Sequence, residues 1–93
     1  YKNHYICITH EVDLYWTEAG RKDADYWHRM IVLDKNFNIV HASEPFTFMN
    51  GKIEFCVGLT IHRDEFIATF GYQDNAAYLT RIPTQIIDGL TGL

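Results

Sequence analysis

Basic runs, long apolar runs and secreted-type cysteine frameworks are all missing from this sequence of 93 residues. Its 8 lysine and arginine residues are scattered among 12 acidic ones, for a net charge of −4, so the basic patch of a nucleic-acid-binding protein is absent. No apolar run approaches the roughly 20 residues that a bilayer span requires, and no basic-then-apolar leader begins the chain. We therefore expect a soluble cytoplasmic protein with no nucleic-acid partner and no membrane span.

Residues for metal binding and for nucleophilic catalysis are also scarce. Cys7 and Cys56 are too few for the disulfide framework of a small secreted domain, and both stand in apolar strand patterns where buried thiols are common. The 5 histidines lack zinc-type spacing, and the single serine, Ser43, has no nucleophile-elbow motif around it. We predict no metal, no cofactor and no serine triad, with a disulfide as the less favoured alternative for the cysteines.

The composition that remains is that of a folded domain. Apolar residues make up 47% of the chain and charged residues 22%, which separates it from disordered sequences. The length allows one modest core at most, so one domain or part of one is expected. Because the chain begins at Tyr1, next to a strand pattern, we expect a fragment or a processed product.

Short alternating segments rich in β-branched and aromatic residues follow one another, and none shows a long 3.6-residue period. The pattern predicts an all-β antiparallel meander with strands over residues 5–14, 26–33, 39–42, 53–61, 66–70 and 76–82. Turn residues such as Asn50-Gly51 separate them, since these residues adopt positive φ readily. Alternation in the fourth strand predicts a core face of Ile53, Phe55, Val57, Leu59 and Ile61.

A weak internal repeat suggests how these strands are grouped. "YICITHE" at residues 5–11 resembles "FIATFGY" at residues 66–72, and a polar loop and another apolar strand follow each copy. Repetition of short antiparallel strands is typical of propeller blades, although a chance match between ordinary strands is the alternative. The sequence thus predicts about two blades, over residues 5–42 and 53–82. For residues 83–93 a short helix, a closing strap and a loose tail are all open.

Three segments, "YICITHEV", "YWHRMIVLDKNFNIVHASEPF" and "IEFCVGLTIHRDEFIATFGYQDNAAYLTRI", carry a family resemblance across residues 5–82. They resemble the C-terminal part of the five-bladed β-propellers of glycoside hydrolase family 130, the β-mannoside phosphorylases, and propeller-like segments of glycosyltransferase-associated proteins. The resemblance implies a sugar or glycan as ligand, inorganic phosphate as a second one, and further blades or another chain as partner, because two blades leave sheet edges exposed. The family's catalytic aspartate lies in an earlier blade outside this chain, so no catalytic residue is assigned.

By this resemblance, His10 and Asp74 stand at equivalent strand ends beside the central channel. Asp74 would accept hydrogen bonds from sugar hydroxyls, and His10 would donate one to a sugar or phosphate oxygen. Glu11 replaces the family's glycine, and its charge opposes phosphate, which puts phosphorolysis in doubt. The alternative for Asp74 is a local role in the turn that it forms with Gln73 and Asn75.

Three more residues complete the predicted substrate-binding set. Arg29 suits bidentate binding of a phosphate or carboxylate, but a solvated edge position or internal pairing with Glu11 or Asp13 is the favoured alternative. Glu54 suits a sugar hydrogen bond or one half of a carboxylate pair, with a buried structural role as its alternative. Tyr72 can stack on a sugar ring, although aromatic residues in strands usually belong to the core.

Two hypotheses for the function follow, besides a small β domain with neither role. The first is a carbohydrate-active propeller segment that recognises a sugar or glycan, with its enzymatic status open. The second is a non-catalytic scaffold or interaction module associated with a glycosyltransferase or a larger assembly.

Overall fold

Six strands and one short helix contain about two thirds of the chain, with 58% of the residues in strands and 9% in the helix. The structure is a computed structural model that describes residues 1–93. This confirms the predicted all-β class, and the C-terminal segment forms a helix. The elements are β1 Tyr5–Trp16, β2 Lys22–Leu33, β3 Ile39–Ala42, β4 Glu54–His62, β5 Glu65–Tyr72, β6 Ala76–Pro83 and α1 Thr84–Thr91.

The strands form two antiparallel three-stranded sheets, which fits a fold of roughly two blades. Sheet A has the order β1-β2-β3, and sheet B has the order β4-β5-β6. In sheet A the pairing of β1 with β2 extends from Tyr5 opposite Leu33 to Trp16 opposite Lys22. The predicted start of β2 at Tyr26 is therefore too late, because this ladder draws in residues 22–25, which are lysine, alanine and two aspartates and have little strand preference of their own. The one helix is too short to cross a membrane.

Sheet B is built from two tight hairpins. The turn between β4 and β5 has positive φ at Arg63 (50°) and Asp64 (63°), and the turn between β5 and β6 has it at Gln73 (55°) and Asp74 (58°). Two consecutive residues with positive φ are the mark of primed turns, which match strand twist. The first connection has two residues, between the paired His62 and Glu65, and the second has three, between the paired Tyr72 and Ala76. The register across each hairpin is therefore fixed by its turn.

The core lies between the two sheets. Met30 of sheet A packs with Phe66, Ala68 and Ile82 of sheet B, and α1 contributes Ile87. Successive residues of a strand point to opposite faces, so the β1 residues flanking Cys7, which pack on this core, leave its side chain on the other face. Cys7 is exposed, and the expectation of two buried thiols is wrong for it.

A β-bulge in β4 overturns the predicted core face of that strand. Cys56 pairs with Phe70 and Gly58 pairs with Thr69, so Val57 is an extra residue without a partner. Before this bulge the even positions face inward, which buries Glu54 and leaves Phe55 exposed. After it the odd positions face inward, as predicted.

Helix α1 holds the N-terminal residues against the sheets. Ile87 is buried, and Asp88 accepts hydrogen bonds from the Tyr1 hydroxyl at 2.7 Å and from the Lys2 ammonium at 3.0 Å. Both partners lower the pKa of Asp88. The helix ends at Gly92, whose φ of 75° suits a left-handed glycine cap.

Candidate functional site

Glu54, the first residue of β4, is completely buried and holds the loop that precedes it. Its Oε1 accepts the N–H of Phe48 at 2.7 Å, and its Oε2 accepts the N–H groups of Met49 at 3.0 Å and Gly51 at 2.6 Å. Successive backbone donors around one point form an anion-binding concavity, which the protein fills here with its own carboxylate. These contacts favour the structural alternative for Glu54.

Tyr72 lies directly opposite Glu54 in the sheet and is half-buried. Its ring covers Gly51 so closely that a Cβ at that position would lie 2.4 Å from the ring carbon Cε2 and 2.8 Å from the Glu54 carboxylate. Gly51 is thus required by close approach, and Asn50 is the residue that takes the positive φ, 54°. Tyr72 also meets Tyr78 edge-on, with ring centroids 5.9 Å apart.

His28 is a buried ring that the predicted substrate-binding set does not include. Its Nε2 accepts the N–H of Cys56 at 3.1 Å, so in the neutral ring the proton is on Nδ1. Nδ1 is buried and has no hydrogen-bond partner. Burial lowers the pKa of His28, and the nearby charge of Glu54 opposes the effect. In the sequence His28 alternates with Met30 and Val32, so the three side chains share one face of β2, and the structure buries all three.

His10 lies opposite His28 in sheet A but is exposed. Its ring centroid is 4.1 Å from that of Phe55 and 6.4 Å from that of Tyr26. An imidazole and two aromatic rings therefore meet at the surface, and we call these three residues the His10 surface. The ring contacts of His10 are with Tyr26 of β2 and Phe55 of β4, and Asp74 is not among them.

Asp74 is the second residue of the turn between β5 and β6, and it is exposed. The turn closes with a hydrogen bond from the Asn75 N–H to the Tyr72 carbonyl at 3.2 Å. Its neighbour Gln73 is tied down, since its side-chain oxygen accepts the Ile53 N–H at 2.7 Å. The backbone of Asp74 agrees with the local turn role, and its exposed carboxylate also remains accessible to a ligand.

Arg29 is engaged within the protein. Its Nε donates to Glu11 in an ion pair, and its Nη1 donates to the Ser43 carbonyl at 3.0 Å. Glu11 also accepts a hydrogen bond from the Trp27 indole at 3.2 Å. The guanidinium lowers the pKa of Glu11. One of the two partners proposed from the sequence is thus observed, and since His28 points to the core, Arg29 lies on the other face of sheet A.

The five predicted residues fall into two groups. Glu54, Tyr72 and Asp74 lie at one end of sheet B, where β4 begins and β5 ends. His10 reaches the same end through Phe55, the residue after Glu54. Arg29 stands apart from all four. Sequence reasoning missed Tyr26 and Phe55 as neighbours of His10, because the bulge in β4 turns Phe55 out of the predicted core.

Comparison of the chain with protein-family models, with curated proteins and with solved structures gives no match. No relative therefore supplies a function for this surface. The chemistry of the site has to be taken from its own residues, which offer aromatic faces, one imidazole and one exposed carboxylate.

Proposed function

We propose that this chain is a carbohydrate-binding module of the propeller type, which recognises a sugar or glycan at the His10 surface. The observation that carries the proposal is the exposed imidazole of His10 packed against Phe55 and Tyr26, near the end of sheet B that presents Asp74. Aromatic faces combined with a few directional polar groups are typical of small-molecule sites.

The available polar groups favour a neutral, hydroxyl-rich ligand. The carboxylate of Asp74 accepts hydrogen bonds from hydroxyls, and the imidazole of His10 both donates and accepts them. Arg29, the cation that best suits phosphate, is paired with Glu11 on the other face of sheet A. Glu54 is committed to its own loop, so the pair of carboxylates needed for glycoside hydrolysis is not assembled from it. The proposal therefore concerns binding.

Two matched turns allow a sharp test. Asp74 and Asp64 are each the second of two consecutive positive-φ residues in a hairpin turn, with φ of 58° and 63°, and asparagine tolerates this conformation. We would titrate the protein and its Asp74→Asn and Asp64→Asn variants with mannose, mannobiose and phosphate, following amide NMR shifts. Loss of a hydrogen bond to a charged group costs about 1.5–3 kcal/mol, so Asp74→Asn should weaken mannobiose binding about 10- to 100-fold, and Asp64→Asn should not.

Equal effects of the two variants on saccharide binding, with unchanged melting temperatures, would show that Asp74 does not contact the ligand. His10→Ala provides the second arm, because the proposal requires it to weaken saccharide binding as well. A response to phosphate alone would point instead to an anion site.

A non-catalytic scaffold is the second candidate, and the exposed apolar residues of sheet B favour it. Val57 is 76% exposed and Leu79 is 63% exposed. Apolar positions of this kind on a sheet mark protein contact surfaces when they are contiguous. If no saccharide shifts the amides of Tyr26 and Phe55, the scaffold is the better account.

A further inference from the structure

A single hydrogen bond joins the strands of sheet A to the strands of sheet B. It runs from the main-chain N–H of Cys56 in β4 to Nε2 of His28 in β2, over 3.1 Å. Every other hydrogen bond between two strands lies within one sheet. Because β4 pairs only with β5, the N–H groups on its other edge have no strand as a partner. The ring of His28 satisfies one of these groups.

This bond lies beside the His10 surface. His10 is opposite His28 in sheet A, and Phe55 directly precedes Cys56 in β4. The contact between the rings of His10 and Phe55, with centroids 4.1 Å apart, therefore depends on the position of this part of β4. Cys56 also adjoins the unpaired Val57, where the ladder to β5 is locally disrupted. We expect the bond to His28 to open before the ladders within each sheet do.

The bond requires a neutral imidazole. Nε2 accepts the N–H of Cys56 through its lone pair, whereas a protonated ring has a donor on both nitrogens. Proton uptake would place two N–H groups opposite each other across 3.1 Å. Nδ1 is already buried without a partner, so the ring cation would leave both of its donors without acceptors. The protonated ring is therefore incompatible with the closed contact to β4.

The titratable neighbours of His28 come from β4 and β1. Glu54 and Cys56 lie next to it on β4 and His10 on β1, whereas the loop before β4 contributes two phenylalanine rings. Burial lowers the pKa of His28, the charge of Glu54 and a carbonyl of that loop oppose this effect, and His10 adds to it. The carboxylate of Glu54 already accepts three main-chain N–H groups. It could not turn to the ring cation without releasing the loop.

We propose that His28 is a proton-controlled latch between the two sheets: uptake of one proton by its ring breaks the bond to Cys56 and frees Phe55 from His10. The neutral ring ties β4 to sheet A and keeps the His10 surface assembled. In the protonated protein the sheets separate at this end, while the ladders within each sheet persist. The latch is a property of the fold and does not depend on which ligand the His10 surface binds.

Amide hydrogen exchange tests the latch in the unaltered protein. Because the open form binds one proton more than the closed form, the protection of the Cys56 amide should fall about tenfold for each pH unit below about 6.5, until the closed form itself titrates. The reference is the amide of Met30, which donates to the Ser43 hydroxyl at 2.8 Å. We expect Cys56 to be less protected than Met30 throughout. Equal protection of the two amides would mean that the bond opens only by global unfolding, and would overturn the proposal.

Two variants identify the group that takes up the proton. In His28→Gln the side-chain oxygen can accept the Cys56 N–H without titrating, so the protection of Cys56 should no longer depend on pH. His62→Gln, at an exposed position in β4, should keep the pH dependence of the parent protein. A pH dependence that survives in His28→Gln would assign the proton to another group, such as His10, and would overturn the latch.

A second measurement on the parent protein needs no variant. Since only the open form holds the proton, the nitrogen chemical shift of His28 Nε2 and the ring-to-ring NOEs between His10 and Phe55 should change over the same pH range. A protonated His28 ring with those NOEs intact would refute the latch, even if His28→Gln does not fold.

Discussion

Replacing Glu54 by glutamine is the most direct test of how the loop before β4 is held. Glutamine has nearly the same shape, so the change removes a charge and one acceptor without opening a cavity. If its amide oxygen takes the place of Oε2, the N–H groups of Met49 and Gly51 keep an acceptor. The amide nitrogen then faces the Phe48 N–H, which loses the 2.7 Å bond to Oε1, and two donors oppose each other in a buried site.

The magnitude follows from these three bonds. A buried donor left without an acceptor costs about 1–3 kcal/mol, and the two bonds that survive are weakened because charge-assisted hydrogen bonds are roughly twice as strong as neutral ones. Glutamine also avoids the cost of burying an ionised carboxylate, which offsets part of the loss. We therefore expect the free energy of unfolding to fall by about 2–3 kcal/mol. The free energy of unfolding of the whole domain is expected to be roughly 5–14 kcal/mol.

Urea unfolding measures this directly. With a slope of about 1–3 kcal/mol per molar for small proteins, the midpoint of the Glu54→Gln variant should fall by roughly 0.7–3 M without a change in slope. Glu44→Gln is the matched control, because Glu44 is exposed, and it should stay within about 0.5 kcal/mol of the parent protein. A Glu54→Gln variant as stable as that control would show that the carboxylate does not hold the loop.

Two further predictions concern His28 and Gly51. Burial lowers the pKa of His28 from 6.5, so the unfolded chain binds the proton more readily and stability should decline as the pH falls from about 6.5 towards the lower folded pKa. His28→Gln should flatten this decline in urea midpoints between pH 7 and 5, whereas replacing the exposed His62 should not. Gly51→Ala forces a Cβ against the Tyr72 ring and should lower the melting temperature through overpacking of about 1–3 kcal/mol. Gly89→Ala, a helical position with no neighbour within 4 Å, should raise stability by about 0.5–1 kcal/mol, and the reverse order of these two melting temperatures would contradict the structure.

Local pattern was sufficient to predict the presence of all six strands, and the bounds of β3 as residues 39–42 agree with the structure. It failed where pairing decides the conformation. Residues 22–25 have little strand preference and follow a turn signal, yet they belong to β2 because β1 supplies a partner for each of them. Such a partner lies several residues away along the hairpin, beyond the reach of a local pattern.

The site could be predicted only in part, for a related reason. Alternation is enough to place His28 and Arg29 on opposite faces of β2, but not to say which face meets the core. Neither the meeting of His10 with Phe55 nor the three bonds to Glu54 is encoded within one strand, because each joins segments that only the packed sheets bring together. Asp74 remains compatible with both alternatives, since a turn residue and a ligand-binding residue use the same exposed position.

The extra residue at Val57 also decides how β4 can change in length. Deleting one residue elsewhere in a strand moves every later side chain to the opposite face, but deletion of Val57 would restore unbroken alternation across β4. With Leu59 and the strand after it kept in the core, Cys56 and Glu54 would still face inward and Phe55 outward, so the loop of residues 48–51 would keep its acceptor. The polar loop anchor at Glu54 and the aliphatic core at Leu59 therefore do not depend on the inserted residue, which lengthens β4 by one residue while both side chains stay inward.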